Sequence, residues 1–516
     1  NATSFAYSEE PVDLEIDASG DIVVAGAAPF LSASNRDYYV IKYNPSGSRL
    51  WEAPFANANP NSDEYPVDMA LDSLGNVFLI GNSVGNGTGQ DVVTVKFSTS
   101  GQFQWQARLD SISQTDYARS IVFDNLNNSI LVAGDLTVST SGFLKRDWVV
   151  ARYDLNGTLL NKRILDGPAS DFDLPADMVV DVNGTLGLTG MYSIHAGGYL
   201  NGDQVTVTMD GSLATDWLRY SNGNSFTDDQ VADLYVDAAG NSYVTGFTKG
   251  GDNTLEDLAV VKFDSQGAKK WSYVYQGLVE KSSDKGIAIT VDANQVVYVT
   301  GTIDTSGGSS YRDIYTAALD SNGNLLWDYF PYNTNPADSG LYNFYNPQFI
   351  ADVSGDGIQD ILVANGGDHA APVWDTNRPP GHLMVVNSMN GQLLAKAVVP
   401  DSAETYCSAL VADVQGNGLQ WVLYGTGGET LGGSFWACPL VALLNNSLAP
   451  SIPLMTDPQL GFVAPASLIK NPSGQYDIII QSYGGKVSKI KGANWSTMWS
   501  SIISSFVCFP NSLNWM

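Results

Sequence analysis

The stretch DAAGNSYVTG, residues 237–246, decides the fold, because close copies of it recur throughout the first 330 residues. The copies are DASGDIVVAG from Asp17, DSLGNVFLIG from Asp72, DNLNNSILVAG from Asp124, DVNGTLGLTG from Asp181 and DANQVVYVTG from Asp292, at intervals of 52 to 57 residues. Repetition at a fixed period marks an architecture whose unit cannot bury its own apolar surface and must stack on its neighbours. Each copy is followed by a second signature that opens on aspartate and ends in a turn, at Asp37, Asp91, Asp147, Asp203, Asp257 and Asp313. Every unit therefore carries four short runs rich in Val, Ile, Tyr and Phe, separated by Gly, Asn, Asp and Ser, with no helical period.

Four antiparallel strands per unit, repeated radially, make the blades of a β-propeller. The expected class is all-β: tandem propellers of four-stranded antiparallel blades, the first over residues 1–333. Six copies predict six blades there. Seven is the alternative, because the opening SFAYSEEPVDLEID looks like the join between two units and offers an N-terminal strand to the last blade. A solenoid is the other arrangement that such a repeat allows.

A residue present in every unit answers a need of every unit, whereas a catalytic group is needed once. The opening aspartates accordingly read as acceptors in turns or caps. Trp51, Trp105, Trp271 and Trp327 follow the turn glycine and read as packing between blades, with Asn161 and Thr215 in their place in two copies. Lys42, Lys96, Arg152 and Lys262 recur on the third run and read as stems over apolar surface with heads paired to the aspartates. The pattern D-x-x-G-N-x-Y-V-T-G resembles the SBBP type of β-propeller repeat over about residues 10–331. That resemblance implies the propeller and a surface or secreted setting, and it supplies no catalytic residues.

The period breaks around NTNPADSGLYN, which sets a boundary at about 333–344 and a second domain at 345–516. Its first unit contains DVSGDGIQDILV, residues 352–363. Asp352, Ser354 and Asp356 alternate as oxygen donors, Gly357 permits a sharp turn, Ile358 offers its carbonyl and Asp360 closes the loop, a spacing that suits Ca2+. The alternative is an ion-free turn. An EF-hand is excluded, since Val363 stands where that motif needs Glu and a strand-like run follows. The loop resembles the calcium loop of FG-GAP/VCBS repeats in integrin-type propellers. That resemblance implies side-chain ligation by Asp352, Ser354, Asp356 and Asp360 and main-chain ligation by Ile358. Later units place Gln415, Asn417 and Trp421 at the ligand positions, or keep only Asp477, and are expected to bind nothing. With three to four units this second propeller is expected to be incomplete, continued by more chain or capped by another subunit.

The chain has 516 residues, 44% of them apolar, and 54 acidic against 25 basic residues, a formal charge of −29. Such a field repels nucleic acid and anionic membrane. No run is long and apolar enough to cross a bilayer, and the first residues read as the product of processing. N-x-S/T triplets at Asn1, Asn86, Asn127, Asn156, Asn183, Asn445 and Asn494 are candidate glycosylation sites, although Asn-Gly is also favoured turn chemistry at Asn86, Asn156 and Asn183. Cys407 and Cys438 are the candidate disulfide, with Cys508 left over; three thiols are equally compatible with a reducing compartment. His195, His369 and His382 show no zinc spacing, GGDH at 366–369 reads as a turn, GTGGET at 425–430 lacks the lysine of a phosphate loop, and no nucleophile elbow occurs. A glycosidase acid pair has no supporting signal.

Together these features predict a non-catalytic, calcium-stapled extracellular scaffold or adhesion protein of a cell surface, matrix or filament. Its expected partners are other protein subunits or surface glycans, in an assembly or polymer. The alternative is a secreted glycan-binding or glycan-cleaving propeller, with single-copy carboxylates and aromatics at the mouth of its tunnel.

Overall fold

The second and third strands of each unit are apolar on both faces, as in VFLIGNSV (Val77–Val84) and QDVVTVKF (Gln90–Phe97), where almost every residue is buried. Such strands need a cover on each side. The fourth strand alternates, as in FQWQARL (Phe103–Leu109), and lies at the perimeter. The computed structural model describes residues 10–28, 36–45, 48–56, 63–85, 89–112, 114–139, 145–169, 172–181, 183–193, 202–221, 229–249, 256–275, 277, 283–304, 312–329, 348–365, 380–405, 407–428, 431–463, 465–471 and 473–502. Among these, the sole α-helix is the short Leu440–Leu444.

The described strands form nine four-stranded antiparallel sheets, each built from four consecutive strands. The blades span 10–55, 64–109, 117–165, 174–221, 230–275, 285–329, 348–398, 410–457 and 467–502, numbered 1 to 9 below. In blades 1 to 6 the first strand of each packs against the first strand of the next, so these strands are innermost.

All nine blades belong to one ring, which corrects the expectation of a six- or seven-bladed propeller followed by an incomplete one. The reason is packing at two junctions that the change of repeat type obscures. Tyr298, Ile314 and Trp327 of blade 6 share a core with Ile361, Val363 and Met384 of blade 7. Ile22, Val24 and Tyr43 of blade 1 share one with Ile469, Ile479 and Val487 of blade 9. The boundary proposed at 333–344 lies outside the described residues. Closure removes the apolar faces that an open arc would present. It also proceeds without strand exchange among the described residues, since Glu10–Ile16 pairs within blade 1 and does not complete the last blade.

The tryptophans join blades as expected. The indole N–H of Trp51, Trp105, Trp271 and Trp327 donates to the carbonyl of Thr99, Leu155, Ser321 and Ser388 in the following blade. The ring sits over that blade's turn glycine: a Cβ on Gly101, which has φ 79°, would lie 2.5 Å from Trp51. Thr215, set in the tryptophan position by the sequence, is not its equivalent. Trp217 faces Thr208 as Trp51 faces Lys42, and it donates to the Ser265 carbonyl of blade 5.

The seam between blades 9 and 1 is held by that core, by the stacked rings of Tyr43 and Trp499 at 5.7 Å, and by a hydrogen bond from Lys489 Nζ to the Pro45 carbonyl. Ile479 is 2% exposed there. Ile479→Ala should therefore lower the unfolding free energy by about 2–5 kcal/mol, the usual loss for emptying such a site. Urea unfolding followed by tryptophan fluorescence reads this; a loss within the scatter of an exposed control such as Leu74→Ala would show that the seam is not packed.

Candidate functional site

Three sets of carboxylates organise the ring, each by a different bond. The first set closes the hairpin between the first two strands. Asp17 Oδ1 accepts from the amides of Ser19 and Asp21 at 2.8 and 3.0 Å, with Gly20 at φ 77°. Asp72, Asp124, Asp181, Asp237 and Asp292 accept from amides in the same way. These are the turn acceptors that the repetition predicts. The basic stems follow in part: Lys42 pairs with Asp17 and Arg152 with Asp124, both at 2.6 Å. Lys96 instead donates to the Leu155 carbonyl and lies 4.9 Å over the Phe78 ring, and Lys262 lies 4.7 Å over Tyr243.

The second set lies four residues earlier, on the inner strand beside a β-bulge: Asp13, Asp68, Asp177 and Asp233. Each accepts the amide of the next residue. The other oxygen of Asp68 accepts the Ile121 amide of blade 3, and that of Asp233 the Ile289 amide of blade 6, both at 2.9 Å. One side chain thereby staples two blades. Burial, with the neighbouring carboxylates, raises Asp13 to about 8, Asp68 to about 6 and Asp233 to about 7.

The third set lies four residues earlier again: Glu64, Asp116, Asp173, Asp229 and Asp284, all fully buried. Their amides donate to the carbonyls of Arg36, Gln90, Arg146, Gly202 and Glu256 of the preceding blade. Asp116, Asp173, Asp229 and Asp284 then accept, through Oδ1, the amides of Thr137, Ser193, Lys249 and Asp304 in their own blade. Beside them stand the aspartates that open the third strand. Asp37, Asp91, Asp147, Asp203 and Asp257 are buried, and Asp91 pairs with Arg108 where the first set accepts turn amides; the Asp313 side chain lies outside the described residues. Burial foremost and then the adjacent acids push Asp116, Asp173 and Asp203 up to about 7, and Asp147 to about 6. A regular E/D-x3-D-x3-D spacing, as in EYPVDMALD and DQVADLYVD, announces all three sets. Only the last aspartate of each run belongs to the repeated turn signature.

The loop 352–360 occupies the first hairpin of blade 7, the place of the Asp17 turn in blade 1. Asp352 accepts the amides of Gly355, Asp356 and Gly357. Asp356 accepts the Ile358 amide and the Asn387 side chain, and Asp360 Oδ2 accepts the amides of Val353 and Ser354. These donors, the Gly357 amide and the Asn387 side chain foremost, hold Asp352 and Asp356 below the ordinary carboxylate value. Asp360 is fully buried, and its Oδ1 has no hydrogen-bond partner. The corresponding loop of blade 8 keeps the same bonds, from Asn417 and Gly418 to Asp413 and from Leu419 to Asn417, without the acidic set. Amides therefore suffice for the shape of the loop. Among the described residues, the acidic trios drawn within 4.8 Å are Asp91, Asp110 and Asp116, and Asp147, Asp166 and Asp173; the trio Asp352, Asp356 and Asp360 is not one of them.

Cys407 and Cys438 are not bonded to each other, against expectation. Cys438 faces the core shared with blade 7 and Cys407 the core shared with blade 9, so the sheet of blade 8 lies between them. Burial pushes the Cys407 thiol up to about 12. Asn127, Asn156, Asn183, Asn445 and Asn494 are exposed in turns or at the helix end. Asn127 Nδ2 and Asn445 Nδ2 donate to Asp124 and to the Val441 carbonyl. Asn1, Asn86, Cys508, His195, His369 and the GGDH segment lie outside the described residues. His382 is buried on the third strand of blade 7.

At one end of the inner strands of blades 1 to 3 a cleft of about 430 Å3 opens, lined by Glu15, Asp17, Met69, Asp72, Ile121 and Phe123 among others. Asp17 and Asp72 are engaged in their turns. Burial raises Glu15 above its ordinary value.

No family model matches the chain, and no curated protein matches it. Among solved structures the chain is similar to BamB from Moraxella catarrhalis, at 15% identity over 82% of this chain and 95% of that one, with a TM-score of 0.39. It is similar to a quinohemoprotein alcohol dehydrogenase from Comamonas testosteroni at 11% identity, 82% and 72% coverage and a TM-score of 0.41. A third likeness is to the C-terminal WD40 domain of Sif2, at 10% identity, 81% and 93% coverage and a TM-score of 0.40. None of these likenesses bears on function, and both repeat types remain resemblances.

Asp203 is 1% exposed, neither of its oxygens has a hydrogen-bond partner, and Asp229 repels it. Its folded value of about 7 stands above the unfolded value near 3.9. The folded state therefore binds the proton more tightly. The stability this contributes is complete below about pH 4 and is lost as pH rises through 7. In chelator, Asp203→Asn should raise the thermal midpoint at pH 8 relative to the wild type and change it little at pH 5. Equal shifts at both pH values would contradict the assignment.

Proposed function

We propose that the protein is a non-catalytic scaffold or adhesion ring of an extracellular surface, matrix or filament, with a structural calcium at the 352–360 loop. The observation that carries this reading is where the repeated carboxylates go: turn amides, neighbouring blades and buried junctions take them up. A ring stapled at successive junctions is rigid and presents its hairpins at fixed spacing, which serves a spacer or docking platform. In the calcium loop, Asp352, Ser354, Asp356 and Asp360 would supply side-chain oxygens and Ile358 its carbonyl. The unpartnered Oδ1 of buried Asp360 supports that assignment. Exposed Asn127, Asn156, Asn183, Asn445 and Asn494 suit glycans on the perimeter. The glycan-processing alternative would need a pair of free carboxylates at the cleft, where Asp17 and Asp72 are occupied by amides and Glu15 is left by itself.

Electron microscopy of native material tests the reading, with a periodic array or surface-attached rings as the expected result. Dispersed single rings in the cytoplasm would overturn it. For the loop, Asp352→Ala with Asp356→Ala should reduce the calcium-dependent rise in thermal midpoint that the wild type shows, by the share this loop contributes. A wild type indifferent to calcium would remove the ion from this loop and leave the scaffold reading to the microscopy.

A further inference from the structure

The junction between blades 3 and 4 gathers Asp147, Asp166 and Asp173, with one oxygen of each within 4.8 Å of the others. Asp147 precedes Trp148 and Asp166 follows Leu165, which are partners across the third and fourth strands, so two carboxylates stand opposite each other on paired strands. Like charges in that relation are destabilising. Asp173 adds a third, fully buried, with its oxygens accepting the amides of Gly167 and Ser193 at 2.6 and 2.9 Å.

Two further observations point to a ligand. Asp147 is 7% exposed, and its Oδ1 has no hydrogen-bond partner. The hydroxyl of Tyr192, a residue 1% exposed, is likewise unpartnered and lies within electrostatic reach of all three carboxylates. Buried polar atoms left in this state are costly unless something meets them.

The molecule contains its own comparison. At the junction between blades 2 and 3, Asp91, Asp110 and Asp116 form the same trio, and there Arg108 pairs with Asp91 at 2.6 Å. Arg108 faces Val93 across the strands as Ile164 faces Val149 in blade 3. Blade 2 thus carries a built-in guanidinium where blade 3 has an aliphatic side chain. Lys145 also acts on Asp147, by its field. In the other four repeats of this type the residues in sequence register with Asp166 are Ala56, Asn222, Gln276 and Tyr332, so no third carboxylate recurs there.

We propose that Asp147, Asp166 and Asp173 bind a hard divalent cation, Ca2+ by the chemistry of its donors, which ties blade 3 to blade 4 and supplies the positive charge that Arg108 supplies at the preceding junction. Three carboxylate oxygens within 4.8 Å of one another can meet one ion, and Ca2+ accepts an irregular set of oxygens at about 2.3–2.6 Å where Mg2+ demands a near-ideal octahedron. Carboxylate oxygens are the donors such an ion prefers, with backbone carbonyls and water to complete its shell.

The test is calorimetric titration of the full chain with CaCl2, alone and in four single variants. Asp166 is exposed, so Asp166→Asn leaves the core intact. It should lose one calcium equivalent that Asp352→Ala retains, which separates this site from the 352–360 loop. Ile164→Arg, copying blade 2, should lose the same equivalent while its thermal midpoint in chelator equals or exceeds that of the wild type. Asp110→Asn should leave the calcium stoichiometry unchanged. The proposal is overturned if the wild type binds no calcium, if Asp166→Asn keeps the full stoichiometry, or if Asp352→Ala alone removes all binding.

Discussion

A blade apolar on both faces cannot stand by itself, and every other feature of this molecule follows from that constraint. Tyr38, Phe78, Trp148, Tyr243 and Tyr298 are almost wholly removed from solvent. Each large side chain so buried contributes about 1.5–3 kcal/mol over its exposed state. None of that burial is available to a lone blade, whose two faces would both meet water. A row of blades still leaves two faces bare, and only a ring leaves none. The contact of blade 9 with blade 1 is therefore the condition for all the others to be stable together.

The same constraint explains why two dissimilar repeats can share one ring. What a blade must offer is an apolar face of suitable area. Blade 7 offers Ile361, Val363 and Met384 to blade 6 as well as a unit of the first repeat type would, and it receives the indole of Trp327 on its Ser388 carbonyl. Repeat type is written in turns, where aspartate and glycine meet the demands of a hairpin. Ring membership is written in the faces, and faces have no signature beyond being apolar.

That difference sets what could be read from the sequence. Strands, hairpins and the blade unit were legible, because aspartate, glycine and the apolar runs recur in register. The turn role of Asp17 and its counterparts was legible for the same reason, as was the indole packing of Trp51 and Trp105. Blade total was not, since counting by signature stops where the signature changes. Trp217 was missed because Leu213, at φ 61°, holds the turn position that glycine holds in the other units, so a count of four from the nearest glycine, Gly211, ends on Thr215. The proposed Cys407–Cys438 bridge failed on sheet sides: Cys438 follows Ala437 on one strand, and adjacent residues face opposite cores. Asp13, Asp68, Asp177 and Asp233 were within reach of sequence reading, through their constant distance from the turn aspartate. Convergence of Asp147, Asp166 and Asp173 was not, because it joins two strands and the next blade.

The excess of acids over bases, 54 against 25, sharpens the question of what balances buried carboxylates. Backbone amides come first, since they are plentiful at turns and bulges and carry no desolvation cost of a second ion. Asp17 and Asp68 use them. Basic side chains come second, as Arg152 does for Asp124. Where acids outnumber both, two agents remain, a proton or a metal ion. A proton suits Asp203, whose charge Asp229 opposes, because neutralising the one carboxyl ends the repulsion between the two. Three acids around one point are different, because one proton leaves two charges facing each other across a few ångströms. A dication placed among them meets every charge at once and adds a geometric tie between the strands. The acidic composition thereby turns from a liability of the fold into a means of making its junctions depend on the medium around them.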